Sequence, residues 1–213
     1  MPSGTQRPYV VAHVAVSIDG ATTGFRPDVA RFYQLAQTWK EDLTLAGADT
    51  ILAQAQVLAE AERPGPAADG PLLAVVDGRG RVSQWRELRE AGHWSEVVAL
   101  HCRDTPARPP GRPVRELVAG PDRVDLADAL RTLVRDEGIG VVRVDSGGRL
   151  IGALLAAGLV DEISLLVHPY LAGEQATRFW YGDRPAAAPL TLVAAQSLSD
   201  GLVWLRYQPD HAS

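Results

Sequence analysis

The chain has 213 residues, 46% hydrophobic and 22% charged, a balance that suits an ordinary globular protein long enough to bury a core. Its formal charge of −5 leaves no basic field to grip nucleic-acid phosphates, and no apolar run approaches the roughly 18 residues needed to span a bilayer. The single cysteine, Cys102, excludes an internal disulfide framework and a cysteine-rich zinc site, and Met1-Pro2-Ser3-Gly4 carries no charged-then-apolar leader, so the cytoplasm is the expected location.

In chain order, Tyr9 to Val16 is β-rich and apolar almost throughout, the pattern of a strand covered on both faces. Asp19-Gly20 marks a turn. Pro27 and Asp28 open a helix in which Val29, Phe32, Tyr33, Leu35, Ala36 and Trp39 recur near helical spacing, with Gly47 as its expected stop. Thr50 to Ala53 is expected as a short strand and Val57 to Glu62 as a brief helix. Arg63 to Pro71, rich in Pro, Gly and Ala, reads as a loop. Leu72 to Val76 is a strand and Asp77-Gly78-Arg79-Gly80-Arg81 a turn. Val97 to Cys102 is another strand, which makes Cys102 a buried strand residue rather than a reactive thiol. Four prolines make Asp104 to Pro113 irregular. Leu126 to Arg135 is helical. Val141 to Val144 is a strand, Asp145 to Gly148 a loop and Leu150 to Ala157 a helix. Ile163 to Val167 is a strand. Leu190 to Ala195 and Leu202 to Tyr207 form a hairpin across Ser199-Asp200-Gly201.

Strands alternating with helices predict an α/β sheet with helices on both faces, and the terminal hairpin predicts antiparallel strands at one edge. No internal repeat or interdomain linker is visible, so residues 1–213 are expected to form a single domain.

Ser146-Gly147-Gly148 lies between a strand and a helix. Successive glycines there let backbone N–H groups approach an anion, to which the helix N-terminus adds about half a unit of positive charge. A pyrophosphate is the usual guest. By spacing alone the pair of glycines is also an ordinary tight turn, and it is not the G-x-G-x-x-G fingerprint.

The surrounding residues sharpen this. Val144-Asp145-Ser146-Gly147-Gly148-Arg149-Leu150-Ile151-Gly152-Ala153-Leu154-Leu155, continuing through Ala157-Gly158-Leu159-Val160-Asp161-Glu162, resembles the reductase domain of riboflavin biosynthesis, the C-terminal domain of the bacterial bifunctional deaminase-reductase. Val16-Ser17-Ile18-Asp19-Gly20 is similar to that family's Ser-Leu-Asp-Gly motif. Gly47-Ala48-Asp49-Thr50-Ile51-Leu52 resembles the segment that brings in its second strand, and Asp77-Gly78-Arg79-Gly80-Arg81 its Asp-Ser-x-x-Arg turn. The motifs follow the family's order along nearly the whole chain. The resemblance implies a dihydrofolate-reductase-like three-layer sandwich with a mostly parallel central sheet, NADPH as hydride donor, a small heterocyclic substrate and a homodimer. The family's frequent partner domain, a zinc deaminase, needs a His/Cys/Cys site that one cysteine cannot supply, so a stand-alone reductase is expected.

On this resemblance the cofactor is expected at Val16, Gln56, Gly78, Arg79, Arg81, Ser146, Gly147, Gly148, Arg149 and Leu150. Arg79 and Arg81 suit a 2′-phosphate, because an arginine fork matches that group; two charges on a solvated turn are the plain alternative. The substrate side is expected at Ser17, Asp19, Glu60 and Asp145, and the catalytic groups are Asp145, His13 and Glu60. The family's Lys in the first strand, Thr and Asp after the second, and Glu before the glycine loop match His13, Gln56, Glu60 and Asp145 here, each a substitution. Histidine for lysine removes a fixed positive charge at neutral pH. Arg26, Arg31 or Lys40 could replace it, though exposed helix positions are commoner for such residues. His13 and Asp145 are expected as a hydrogen-bonded pair that positions or protonates the substrate; a core histidine and a helix N-cap are the alternatives.

The remaining candidates are bland. Trp39, Trp85, Trp94, Trp180 and Trp204 show no stacking register, Ser17 lacks a nucleophile's partners, and the five histidines show no metal spacing. His168-Pro169-Tyr170 is expected to shape an edge or a dimer contact. Three functions stay open: an NADPH-dependent reductase of a ribosylamino-pyrimidine phosphate; a same-fold reductase of a pterin or another imine or carbonyl; and a non-catalytic dinucleotide-binding dimer.

Overall fold

The computed structural model describes residues 7–107, 114–182 and 189–210. Met1 to Gly4 and the 108–113 part of the predicted irregular stretch lie outside the described residues. In chain order the elements are β1 (Tyr9–Ser17), α1 (Val29–Ala36), β2 (Leu43–Gly47), α2 (Ala48–Ala53), α3 (Ala55–Glu60), β3 (Leu72–Val76), α4 (Trp85–Glu90), β4 (Val97–His101), β5 (Arg115–Val118), α5 (Leu126–Glu137), β6 (Val141–Val144), α6 (Gly148–Ala156), β7 (Glu162–His168), β8 (Leu190–Ser197) and β9 (Val203–Pro209). The class is mixed α/β with mostly parallel strand pairing. No helix among the described residues is long and apolar enough to cross a membrane.

The contacts divide the chain into two compact units. The first holds Glu41–Val142 and the N-terminal residues up to Pro8. Its strands run in the order β5-β4-β3-β2, every neighbour parallel. Leu43-Thr44-Leu45, Leu73-Ala74-Val75 and Val97-Val98-Ala99 are each buried at consecutive positions, the signature of strands covered on both faces. The second unit holds Tyr9–Lys40 and Arg143–Ser213. Here β1 and β7 are parallel, while β9 joins β7, and β8 joins β9, antiparallel, as the terminal hairpin predicts.

Three expectations are corrected. The first helix does not run to Gly47; it ends at Ala36, and Leu43–Gly47 is a strand. Leu43 and Leu45 alternate with period two, and Asp42 anchors the entry, its carboxylate accepting from the backbone of Gly140 and Val141 at 2.8 and 2.9 Å. Thr50 to Ala53 is not a strand but part of α2, whose Ala48 and Ile51, three residues apart, face the core of the first unit. The next helix is Ala55–Glu60, ahead of its expected position at Val57 to Glu62. Two short elements, α4 and β5, carry too little local pattern to be read from sequence.

Candidate active site

The strand β6 delivers Asp145 and the glycine loop to the start of α6. Gly147 is the N-cap in an extended conformation (φ −81°, ψ 176°), with no side-chain hydrogen bond to the first turn. A Cβ added at Gly147 would meet no atom within 4 Å, so a ligand can approach that backbone. Gly148 is a different case. A Cβ there would lie 1.9 Å from the carbonyl oxygen of Phe179 and 2.5 Å from the nitrogen of Gly182. Gly152, one turn on, would place its Cβ 2.7 Å from the Tyr181 oxygen. Gly148 and Gly152 are glycine because the 179–182 segment packs on the helix backbone. Leu150 has a buried side chain in the first turn of α6, Arg149 precedes it in the same turn, and Ser146 lies in the loop before Gly147.

Asp145 sits at the C-terminal end of β6. One carboxylate oxygen, Oδ2, accepts from Arg143 Nη1 at 3.1 Å and from the Tyr33 hydroxyl at 3.5 Å. The other, Oδ1, has no hydrogen-bond partner among the described residues. Arg143 is 5% exposed; it lies two residues before Asp145, so the strand's alternation puts both side chains on one face. Burial first, and then the Asp145 charge, push the Tyr33 phenol up to about 12. Sequence reasoning assigned neither Arg143 nor Tyr33 to the site. The available signal was a charged residue inside the apolar run Val141-Val142-Arg143-Val144, two positions from a carboxylate.

His13 does not bond to Asp145. Its Nε2 lies 3.0 Å from the Phe32 carbonyl and its Nδ1 2.9 Å from Ser164 Oγ, the residue paired with it in the β1–β7 register. A carbonyl only accepts, so Nε2 carries the proton and Nδ1 accepts from the Ser164 hydroxyl. Ser164 in turn accepts from Trp204 Nε1 at 2.8 Å. The imidazole also stacks on Phe32 at 4.2 Å. Burial drives its pKa down to about 4, against the Phe32 carbonyl bond that raises it, and Arg143 nearby lowers it further. At neutral pH His13 is uncharged and satisfied.

Ser17 and Asp19 brace the end of β1. The Ser17 hydroxyl donates to Asp19 at 2.5 Å, and Asp19 accepts from the backbone of Ala172 and Gly173 at 3.1 and 3.0 Å. These donors, Ser17 foremost, hold the Asp19 carboxyl down at about 2. Val16 is buried, and its carbonyl accepts from His168 Nδ1 at 3.3 Å. His168 is thus turned inward, and its Nε2 accepts from the backbone of Asp28, the α1 N-cap, at 2.9 Å.

The first unit holds the other candidates. Gln56 donates to Glu60 one turn later at 3.2 Å on the exposed side of α3. The turn after β3 is locked by buried Asp77, whose carboxylate accepts from the backbone of Arg81 and Val82 at 3.0 and 2.8 Å. Arg81 pairs with Asp49 at 2.7 Å, and Arg79 is exposed on the same turn. The Gly78 carbonyl accepts from Thr105 at 3.0 Å, and beside it a cavity of about 250 Å³ is lined by His101, Cys102, Arg103, Thr105, Pro106 and Glu116. Cys102 is buried, one residue past β4.

Comparisons with known proteins bear on this arrangement. The model of the RibD C-terminal domain family matches residues 8–204. The 2,5-diamino-6-ribosylamino-4(3H)-pyrimidinone 5′-phosphate reductase of Archaeoglobus fulgidus is 30% identical over 187 residues, covering 78% of this chain and 83% of the relative. Among solved structures, RibD of Acinetobacter baumannii superposes with a TM-score of 0.72 at 24% identity, over 97% of this chain and 59% of that one. Dihydrofolate reductase from Enterococcus faecalis superposes with a TM-score of 0.54 at 11% identity, over 95% of this chain and 97% of its own, so the fold is dihydrofolate-reductase-like. With the family model spanning β1 to β8 and the first residues of β9, the chain belongs to the RibD C-terminal domain family.

Proposed function

We propose that this chain is an NADPH-dependent reductase of a ribosylamino-pyrimidine phosphate, the step of riboflavin biosynthesis for which its Archaeoglobus relative is named. The observation that carries the reading is Asp145, a carboxylate with one oxygen open, at the C-terminal end of a strand and beside a glycine loop. Open α/β sheets place ligands at that position. NADPH supplies a hydride to an imine or carbonyl carbon. The residues present fit such a cofactor. The first turn of α6 has no side-chain cap, Gly147 leaves its backbone approachable, and Ser146, Gly148, Arg149 and Leu150 line the helix start at which a pyrophosphate would sit. Arg81 and Arg79 suit the 2′-phosphate, with Val16, Gln56 and Gly78 as further cofactor contacts. Asp145, Glu60, Ser17 and Asp19 are assigned to the substrate, and His13 acts through its hold on Phe32. The match over residues 8–204 supports one reductase domain, and exposed Leu190, Leu192 and Val193 on edge strand β8 support a homodimer.

A specific observation favours a second reading. His13 is neutral where the family places a lysine, so an uncharged imine or carbonyl of another heterocycle is a competing substrate. One assay separates the two. The purified protein is given NADPH with 2,5-diamino-6-ribosylamino-4(3H)-pyrimidinone 5′-phosphate, and nicotinamide oxidation is followed. Steady turnover supports the first reading; NADPH binding by thermal shift without turnover of this pyrimidine moves the substrate to another heterocycle. No shift with NADPH would overturn the cofactor assignment.

A further inference from the structure

The phenol of Tyr33 has no role in the expectations drawn from the family motifs, yet it is the group that shares Asp145. Three observations make it more than a neighbour. First, both Tyr33 and Arg143 use the same oxygen, Oδ2, and leave Oδ1 without a partner among the described residues. Second, the Tyr33–Asp145 distance of 3.5 Å is at the outer limit of a hydrogen bond, so little is lost when the phenol turns to another acceptor. Third, the helix that carries Tyr33 is anchored while the residue itself is only partly buried. The carbonyl of Phe32, the residue before it, accepts from His13, and the Phe32 ring stacks on that imidazole at 4.2 Å. At the start of the same helix the Asp28 N–H is tied to His168. The backbone that carries Tyr33 is therefore fixed by two buried histidines, while 46% of the residue stays open to solvent.

A phenol O–H and a free carboxylate oxygen on adjacent groups fit a single chemical partner well. An alcohol hydroxyl can donate to the carboxylate while accepting from the phenol. We propose that Tyr33 is a substrate-positioning residue that, with Asp145, clasps one secondary hydroxyl of the substrate's sugar: the hydroxyl donates to Asp145 Oδ1 and accepts from the Tyr33 O–H. Tyr33 is suited to this because its phenol, raised to about 12, stays protonated throughout the working pH range and remains a donor. Arg143 keeps Asp145 in register by its hold on Oδ2. The inference rests on the reductase reading above and adds which part of the substrate the Asp145 end recognises.

The test is Tyr33→Phe, which removes one oxygen and keeps the ring's edge contact with Phe32 at 5.2 Å. Wild type and Y33F are compared on 2,5-diamino-6-ribosylamino-4(3H)-pyrimidinone 5′-phosphate and on its 2′-deoxy and 3′-deoxy counterparts, with melting temperature and NADPH affinity measured alongside. On the parent, Y33F should raise KM about tenfold with kcat changed less than about twofold, because a lost ground-state hydrogen bond acts on binding. One deoxy compound should show a raised KM with wild type and no further rise with Y33F, since the two deletions remove the same bond. Melting temperature and NADPH affinity should be unchanged. Equal losses by Y33F on the parent and both deoxy compounds, or a parent KM within twofold of wild type, would overturn the inference while leaving the reductase reading intact. Wild-type protein that does not reduce the parent overturns both.

Discussion

Gly147 and Gly148 are neighbours with different reasons to be glycine, and that difference is measurable. A Cβ at Gly148 meets backbone atoms of the 179–182 segment, which cannot give way as a flexible side chain would. We expect Gly148→Ala to destabilise the protein by about 3 kcal/mol or more, seen as a lower urea midpoint or insoluble expression. Gly147→Ala has space and an accessible backbone conformation, and should change stability by less than about 1 kcal/mol. If Gly147 admits the dinucleotide, that variant should instead weaken NADPH binding. Glu162 provides a second residue-scale test. It is 2% exposed and accepts from Arg206 at 2.5 and 3.0 Å and from Tyr9 at 2.8 Å, with the Arg206 guanidinium over the rings of Trp39 and Trp204. Glu162→Gln keeps the shape but strips the arginine of its counter-charge. A loss on the order of 2–4 kcal/mol is expected in urea unfolding. An unchanged midpoint would show that the pair contributes nothing net.

Elements with strong local signals were legible, and those without them were not. α5 runs from Leu126 to Glu137 with apolar residues on one face, begins at Asp125 and ends at Gly138 in the left-handed conformation (φ 70°). The Asp125 side chain accepts from the Asp128 N–H at 2.9 Å, so Asp125→Ala should cost about 1 kcal/mol, readable as a shift in thermal midpoint. β6 and the hairpin β8–β9 were equally plain, each an apolar or alternating run bounded by turn residues. Trp39 and Gly47 extend a helical spacing that predicts helix up to Gly47, but α1 ends at Ala36 and Leu43–Gly47 is a strand. β5 carries the sequence Arg115-Glu116-Leu117-Val118 and is mostly exposed; only its pairing with β4 makes it a strand.

For the whole molecule, the buried histidine ties stability to pH. His13 titrates near 6.5 when unfolded and near 4 when folded, so between those values the unfolded chain binds more protons. Stability should therefore fall as pH drops from about 6.5 to about 4, by an amount on the order of 3 kcal/mol, and the effect should level off below that. Asp19, held at about 2, adds a further loss between its unfolded value of 3.8 and about 2. Urea midpoints across this range check the sign, and His13→Asn should flatten the upper part of the slope. A wild-type midpoint that rises on acidification would contradict the neutral, buried state of His13.

The sequence by itself determined the α/β alternation, the strand–glycine–helix unit at Val141 to Ala156, the antiparallel end and the family. Each of these is written in a local period, a turn or a motif that needs no partner to be recognised. The candidate site was only partly legible. Asp145 was found because it adjoins the glycine loop, whereas Tyr33, 112 positions away, joins it only through the fold. Only the tertiary structure decided that His13 bonds to Ser164 and Phe32 rather than to Asp145, that Gly148 is set by backbone packing, and that Asp145 keeps one oxygen open. Those outcomes depend on strand register and on helix placement, which bring together groups that no local spacing connects.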